Sequence, residues 1–410
     1  MISAKRLESR IEALSEISEN EGDGVTRRAL TKEDKAALDL VSSWMKEAGM
    51  NVHLDAAGNL IGRTNGEYRH KQPIVLGSHI DSVENGGKYD GAIGVIGGIE
   101  VVQHMKDEEL PLTRPVEVIA FSEEEGSRFK SGGLFGSLAM IGSVSRQDLD
   151  VVDEQGITRG EALTDLGLHT DDIFTEKVIR DKEDILLYLE MHIEQGPVLQ
   201  ENKAPVGIVS HITGITVCDV IVRGRADHAG TTPMHMRQDA LSGACELKLA
   251  LEKILREYEP TAVGTVGVMD IQPGGVNIVP EEVTMTMDIR DVKEESRKNI
   301  LNLLADEAKE IRNTRGLDIQ FVEKSNVTQA NCSKEIMAVA KEEAEKMGIE
   351  YVELVSGAGH DAQSMAELCD MGMIFVRSEF GSHNPQEYAA IEDIVLGTEL
   401  LYHVSSHYVL

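Results

Sequence analysis

Residues 72–91, QPIVLGSHIDSVENGGKYDG, decide how the chain is read. The run PIVL is apolar without a polar break, as expected of a strand buried on both faces of a largely parallel sheet. A glycine-rich turn follows, and it carries His79, Asp81 and Asp90. Such a turn is either a solvated loop or one part of a metal site. The choice depends on whether other strands end the same way.

They do. RPVEVIAFSEEEG (114–126) runs out in Glu123, Glu124 and Glu125. ILLYLEMHIEQG (185–196) carries His192, Glu194 and Gln195 near its end, and GMIFVRSEFGSHNP (372–385) leads into His383. Open α/β sheets place their sites at the C-terminal ends of the strands. Taken singly, each residue has an ordinary explanation: a turn aspartate before glycine, carboxylates at a helix start, a core or loop histidine. Taken together, acids and imidazoles at successive strand ends point to metal binding. A carboxylate can bridge two divalent ions with its two oxygens. Mixed imidazole and carboxylate donors suit zinc, manganese, cobalt or nickel. A further carboxylate beside the ligands can take a proton from water, and the paired glutamates supply one acid of each kind. Asp81 lies two residues after His79, on the same side of an extended chain, and is expected to accept the second imidazole N–H.

Length and composition bound the rest. At 410 residues two domains are expected, and 41% apolar content is ordinary for a globular chain. The sequence has no long apolar run, so no membrane span is expected. MISAKRLESRIEALSEISEN (1–20) reads as an amphipathic helix rather than a signal peptide. Cys218, Cys245, Cys332 and Cys369 are widely spaced, which suits reduced thiols in a cytoplasmic protein. A net charge of −31 argues against nucleic acid and anionic membrane as partners. A small carboxylate substrate would need local basic residues.

Between about 212 and 326 the rhythm changes. A strand (ITVCDVIVRGRA), a helix (DALSGACELKLALEKILREYE), two strands (AVGTVGVMDIQP, EVTMTMDIRD), a helix (EESRKNILNLLADEAKEIRN) and a strand (LDIQFVEKS) give the ferredoxin-like order β-α-β-β-α-β. The expected organisation is α/β. A largely parallel-sheet catalytic domain is formed by 1–211 and 327–410, and 212–326 is an inserted α+β domain.

The motifs GSHIDSVENGGKYDG, SEEEGSRF, EMHIEQGPVL, DHAGTTPM, GGVNIVPEEV, MDIRD, SGAGHDAQ and GSHNPQE span nearly the whole chain. This set resembles the co-catalytic metallopeptidase family of aminoacylases, carboxypeptidase G and bacterial dipeptidases. Within it, the chain is most similar to the branch of N-carbamoyl-L-amino acid hydrolases, allantoate amidohydrolases and β-ureidopropionases. The resemblance implies two divalent ions. One would be held by His79, Asp90 and His192, the other by Asp90, Glu125 and His383. It implies Glu124 as general base and Asp81 as the residue orienting His79. Dipeptidases of the family usually carry an acid where this chain has His192. It also implies that His228 reaches the active site of a partner subunit and stabilises an oxyanion. Asn277 and Arg290 would grip the substrate carboxylate, with Gln195, Gly359 and His360 as further contacts. The inserted domain would then serve as lid and homodimer contact. The implied reaction is hydrolysis of an N-carbamoyl-L-amino acid to the amino acid, ammonia and carbon dioxide. Allantoate amidohydrolysis is the alternative, ahead of N-acyl amino acid hydrolysis and of a non-catalytic binding protein.

Overall fold

The computed structural model describes residues 2–20, 22, 24–258 and 261–410. Met1 of the expected N-terminal helix and Glu259 at the end of the expected helix 239–259 lie outside them. The chain divides into two compact units, one of Met1–Ser210, Asn331–Ser356 and His360–Leu410, the other of His211–Ala330 with Gly357–Gly359.

In the first unit, Ile74–His79, Val116–Phe121, Leu187–Ile193 and Asp370–Val376 are strands that pair parallel at the middle of a nine-stranded sheet. Their order across the sheet is Val116–Phe121, Ile74–His79, Leu187–Ile193, Asp370–Val376. Three of them are buried along their full length, and the fourth in all but its first residue. That is why their sequences are nearly continuous apolar runs, broken only by a few polar residues such as the buried Glu117 and Glu190. Leu60–Thr64 and Val206–Ile212 flank this group in antiparallel pairing. The strand Val116–Phe121 stops where SEEEG begins, whereas Leu187–Ile193 runs on through His192. SEEEG is therefore a turn beyond Phe121, not strand.

The helix Ala92–Asp107 lies directly against the sheet. A Cβ on Gly94 would stand 2.2 Å from the Met191 carbonyl oxygen, so only glycine permits this approach. The helix begins just after Asp90, and this packing fixes the height of that carboxylate above the sheet. The N-terminal helix is shorter than its charge pattern implied, Ala4–Ser15, with the Ser3 hydroxyl accepting from the Arg6 amide as its cap. Residues 135–174 form short helices, Phe135–Met140, Arg146–Leu149, Arg159–Asp165 and the 3-10 turn Thr170–Phe174. They close over a separate small core that includes Phe129, Phe135, Leu149 and Leu163.

The second unit has the strands Gly214–Arg223, Val263–Gln272, Glu282–Asp291 and Asp318–Val327, and the helices Ala240–Glu257 and Glu294–Arg315. Its sheet runs Asp318–Val327, Gly214–Arg223, Glu282–Asp291, Val263–Gln272. All three pairings are antiparallel, the ferredoxin-like arrangement. Alternate residues of Gly214–Arg223 and Glu282–Asp291 are buried, among them Val220, Val222, Met285 and Ile289, in a core of this unit's own. A short antiparallel ladder pairs Asp227–His228 with Ile278–Val279.

Candidate metal centre

Four strand ends of the first unit bring His79, Asp90, Glu124, Glu125, His192 and His383 together. Asp90 is the hub. Its Oδ1 lies 3.1 Å from His192 Nε2 and 3.7 Å from His79 Nε2, and its Oδ2 lies 3.6 Å from His383 Nε2. The two oxygens of one carboxylate thus face two different imidazole groups. His383 Nε2 is also 3.4 Å from Glu125 Oε2, and His79 Nε2 is 3.6 Å from Glu124 Oε2. His79–Asp90–His192 and Asp90–Glu125–His383 are each close enough to surround one cation.

The backbone sets the imidazoles for this task. His79 Nδ1 lies 3.0 Å from the Asp81 carbonyl oxygen and His192 Nδ1 lies 2.9 Å from the Ile193 carbonyl oxygen. A carbonyl only accepts, so each Nδ1 is the donor and each Nε2 faces Asp90 with a lone pair when neutral. This donor set fits divalent cations. Gly91 completes the cradle. Its φ is +62°, and a Cβ there would meet the His79 ring at 2.4 Å.

One expected contact differs in its atoms. The Asp81 carboxylate was expected to accept the His79 N–H, but its Oδ1 stands 3.6 Å from Nδ1 while its main-chain carbonyl makes the bond. The carboxylate is engaged elsewhere: its two oxygens accept the Glu124 amide at 3.1 Å and the Glu125 amide at 3.2 Å. Successive amides converging on one acid form a strong anion seat, which outcompetes a single imidazole N–H.

The electrostatics follow from burial and crowding. Burial opposes charge on His192, but the facing Asp90 carboxylate prevails and pushes the imidazole up to about 9. Burial likewise opposes the Asp90 carboxylate, yet His192 and His79 hold it below its ordinary range. His79 moves the other way, down to about 4, chiefly by burial. Glu124 is raised well above an ordinary glutamate, first by burial and then by Glu125 and the other nearby carboxylates. Glu125 is raised by burial and by Asp90. A crowded set of acids with raised affinity for positive charge is suited to cations and to proton transfer.

Two supporting residues, Glu387 and Ser382, had no distinct signal of their own in the sequence, whereas Gln195 and His360, expected as substrate contacts, also lie against the site. Glu387 accepts the Tyr89 and Asp90 amides at 3.0 and 3.1 Å and the Ser382 hydroxyl at 2.6 Å. The same Ser382 hydroxyl lies within hydrogen-bond reach of Asp90 Oδ2, so its single proton is shared between the two acids. Both lie in GSHNPQE, beside His383. Gln195 Nε2 donates to Asp90 Oδ2 at 2.8 Å. His360 is buried 4.5 Å, ring to ring, from His192, with Nε2 2.9 Å from the Ser356 hydroxyl.

Asn277, His228, Arg290 and Gly359 belong to the second unit. His228 is exposed on its short ladder, and its Nδ1 accepts the Gly230 amide at 3.0 Å, which leaves the proton on Nε2. Asn277 is exposed, and its carbonyl accepts the Ala229 amide at 2.9 Å. Arg290 is half-buried. It forks onto Asp288 with two bonds of 2.9 Å and gives Nη1 to the Gly357 carbonyl at 2.7 Å. The Asp288 pair uses only one edge of the guanidinium.

Comparison with known proteins gives this arrangement a class. Residues 75–407 match Peptidase family M20/M25/M40. The chain belongs to this family and is a hydrolase. Among its relatives, the N-carbamoyl-L-amino-acid amidohydrolase of Pseudomonas sp. (strain NS671) is 46% identical over 98% of this chain and 97% of its own. The allantoate deiminase of Arabidopsis thaliana is 36% identical over 87% of this chain and 74% of its own. A crystal structure of an amidase of the hydantoinase/carbamoylase family from Burkholderia multivorans superposes with a TM-score of 0.91. It is 33% identical and the match covers 98% of this chain and 97% of that one.

Proposed function

We propose that the protein is a two-metal amidohydrolase that removes the carbamoyl group from an N-carbamoyl-L-amino acid, releasing the amino acid, ammonia and carbon dioxide. The observation that carries this reading is Asp90 set between three imidazoles with Glu124 close by. The 46% identical relative supports the substrate. His79, Asp90 and His192 would hold one ion, and Asp90, Glu125 and His383 the other. When bound, such ions supply Lewis acidity and make water more acidic. Zinc, manganese, cobalt and nickel all suit these donors.

The chain's own groups do the rest. Glu124, its proton affinity raised by burial and neighbouring acids, takes a proton from the attacking water and returns it to the leaving nitrogen. Arg290 offers its remaining Nη1 and Nη2 N–H donors to the substrate carboxylate, with Asn277 beside it, and Gln195, Gly359 and His360 make further contacts. His228 presents Nε2–H to the oxyanion in the partner subunit of a homodimer joined through the inserted domain. The DHAGTTP match and the exposure of His228 support that role.

The test is ammonia release from manganese-loaded protein with N-carbamoyl-L-methionine, its α-amide, allantoate, 3-ureidopropionate and N-acetyl-L-methionine. N-carbamoyl-L-methionine should be turned over fastest. Glu124→Gln should lose about 10²-fold or more in rate while keeping its metal, and Arg290→Ala should hurt the acid far more than the amide. If allantoate is hydrolysed faster, the second reading, favoured by the deiminase relative, replaces the first. No ammonia from any ureido compound would end both. For the dimer, mixing His228→Ala with Glu124→Gln chains should restore up to about half of the wild-type activity, because one site of a mixed dimer collects both defects. Mixed dimers verified by mass but without activity would place His228 outside the partner's site.

A further inference from the structure

Glu123, the residue before the proposed base, has no role in the chemistry above. It is fully buried, and it belongs to none of the cation-sized clusters among the described residues. Its φ is +55°, in the left-handed region that non-glycine residues rarely adopt. Its carboxylate takes both prongs of Arg159, Nε to Oε2 at 2.7 Å and Nη2 to Oε1 at 3.0 Å. Arg159 is 2% exposed and lies between the rings of Phe129 and Phe135, at 5.0 and 4.4 Å from their centroids. It also donates to the Asp148 carbonyl and the Ser131 hydroxyl. Both partners are desolvated and satisfied, and the arginine is anchored in the small core of the short helices rather than in the sheet.

The left-handed residue sits where the strand Val116–Phe121 gives way to the turn. Beyond it, the amides of Glu124 and Glu125 converge on the Asp81 carboxylate, and the Asp81 carbonyl holds His79 Nδ1. Contacts therefore run from Arg159 through the Glu123 turn to both glutamates, and through Asp81 to His79. A buried ion pair is a weak source of stability, because apolar residues of similar volume often serve as well. A site that needs sub-ångström placement of its base and ligands gives such a pair another use.

We propose that the Arg159–Glu123 pair is a positioning device: it locks the left-handed turn that aims Glu124 as base and Glu125 and His79 as ligands. This rests on the roles given above to those three residues.

The test removes the pair as a whole, so that no charge is stranded, and varies only the backbone freedom at 123. E123A/R159M and E123G/R159M share the same lost packing, but glycine adopts positive φ freely. Measured quantities are kcat and KM for the best substrate of the panel, Mn2+ titrated into the apo-protein, and the thermal midpoint. E123A/R159M should lose about tenfold or more in kcat, with KM within about threefold and weaker Mn2+ binding. E123G/R159M should return to within about threefold of the parent in both kcat and Mn2+ affinity. A purely structural pair would lower the midpoint alike in both and leave kcat and Mn2+ affinity of folded protein unchanged. Two unimpaired variants, or two equally impaired ones, would overturn the proposal. Should E123A/R159M not fold, Arg159→Lys takes its place. It keeps the charge but not the fork, and an unchanged kcat would overturn the proposal. Glu124→Gln separates the two levels of inference. A fully active Glu124→Gln breaks the proposed function, whereas an inactive one beside unimpaired pair variants breaks only this inference.

Discussion

The two sides of Asp90 are built differently. Toward His79 and His192 everything is buried, each imidazole is fixed by a carbonyl, and Gly91 leaves no room for even a methyl group. Toward Glu125 and His383 the imidazole is 51% exposed and stands on a loop residue with φ of +59°. One carboxylate thus joins a rigid, dry half to an open, wet one. The lesson is that two ions sharing a bridge need not be equivalent: the dry half should bind tightly and select by geometry, while the open half exchanges with solvent.

The largest contrast is expected between His192→Ala and His383→Ala. Each should lose one of two binding events when metal is titrated into the apo-protein. Only His192→Ala should also destabilise the apo-chain strongly, by about 3 kcal/mol, because it strands a buried carboxylate. Denaturant unfolding of the two apo-variants measures this, and equal losses would erase the distinction between the halves. A smaller effect is expected from Gly91→Ala, whose methyl presses on the His79 ring and which pays for a left-handed alanine. It should weaken the dry site about tenfold, equivalent to about 1.4 kcal/mol, and leave the open one alone. Weakening of the open site instead would put Gly91 in the wrong half.

The subtlest effect concerns protons. In the apo-protein His192 is raised to about 9 and Glu125 lies well above its ordinary value, so cations must displace protons in both halves. The sign follows: below these values protons compete, so apparent affinity rises as pH rises from 6 toward about 9. Calorimetry in two buffers of different ionisation enthalpy should count proton release at pH 7.5. Release confined to the binding event of one half would remove proton competition from the other, and none at all would contradict the crowding of charges described here.

Much of this is legible in the sequence alone. The four central strands are nearly continuous apolar runs because both faces are covered, and that pattern survives in a single sequence. The acids and histidines stand at strand ends, where a side chain can reach a site without disturbing the sheet. What was not legible depends on contacts between distant segments. Arg159 reads as an ordinary charged residue in TRGEAL, and only the fold brings it to Glu123, 36 residues away. Asp81 stands out in the sequence as a neighbour of His79, but which of its oxygens faces the ring does not, since that is settled by where the Glu124 and Glu125 amides point. Residues 135–174 form elements too short to carry a readable period.

The order of strands has a consequence for how the molecule comes to exist. Asp370–Val376 follows every other strand of its sheet in the chain, yet it lies inside the sheet beside Leu187–Ile193. Until it arrives, a long, apolar strand edge stands unpaired, the kind of edge on which chains aggregate. The unit His211–Ala330, with its own core, is synthesised in that interval and has what it needs to fold first. His383, the last of the proposed ligands in the chain, comes only after that central strand. Metal supplied during synthesis can therefore meet His79, Asp90 and His192 long before the full set exists. The yield of correctly loaded protein should depend on how quickly the C-terminal eighty or so residues follow.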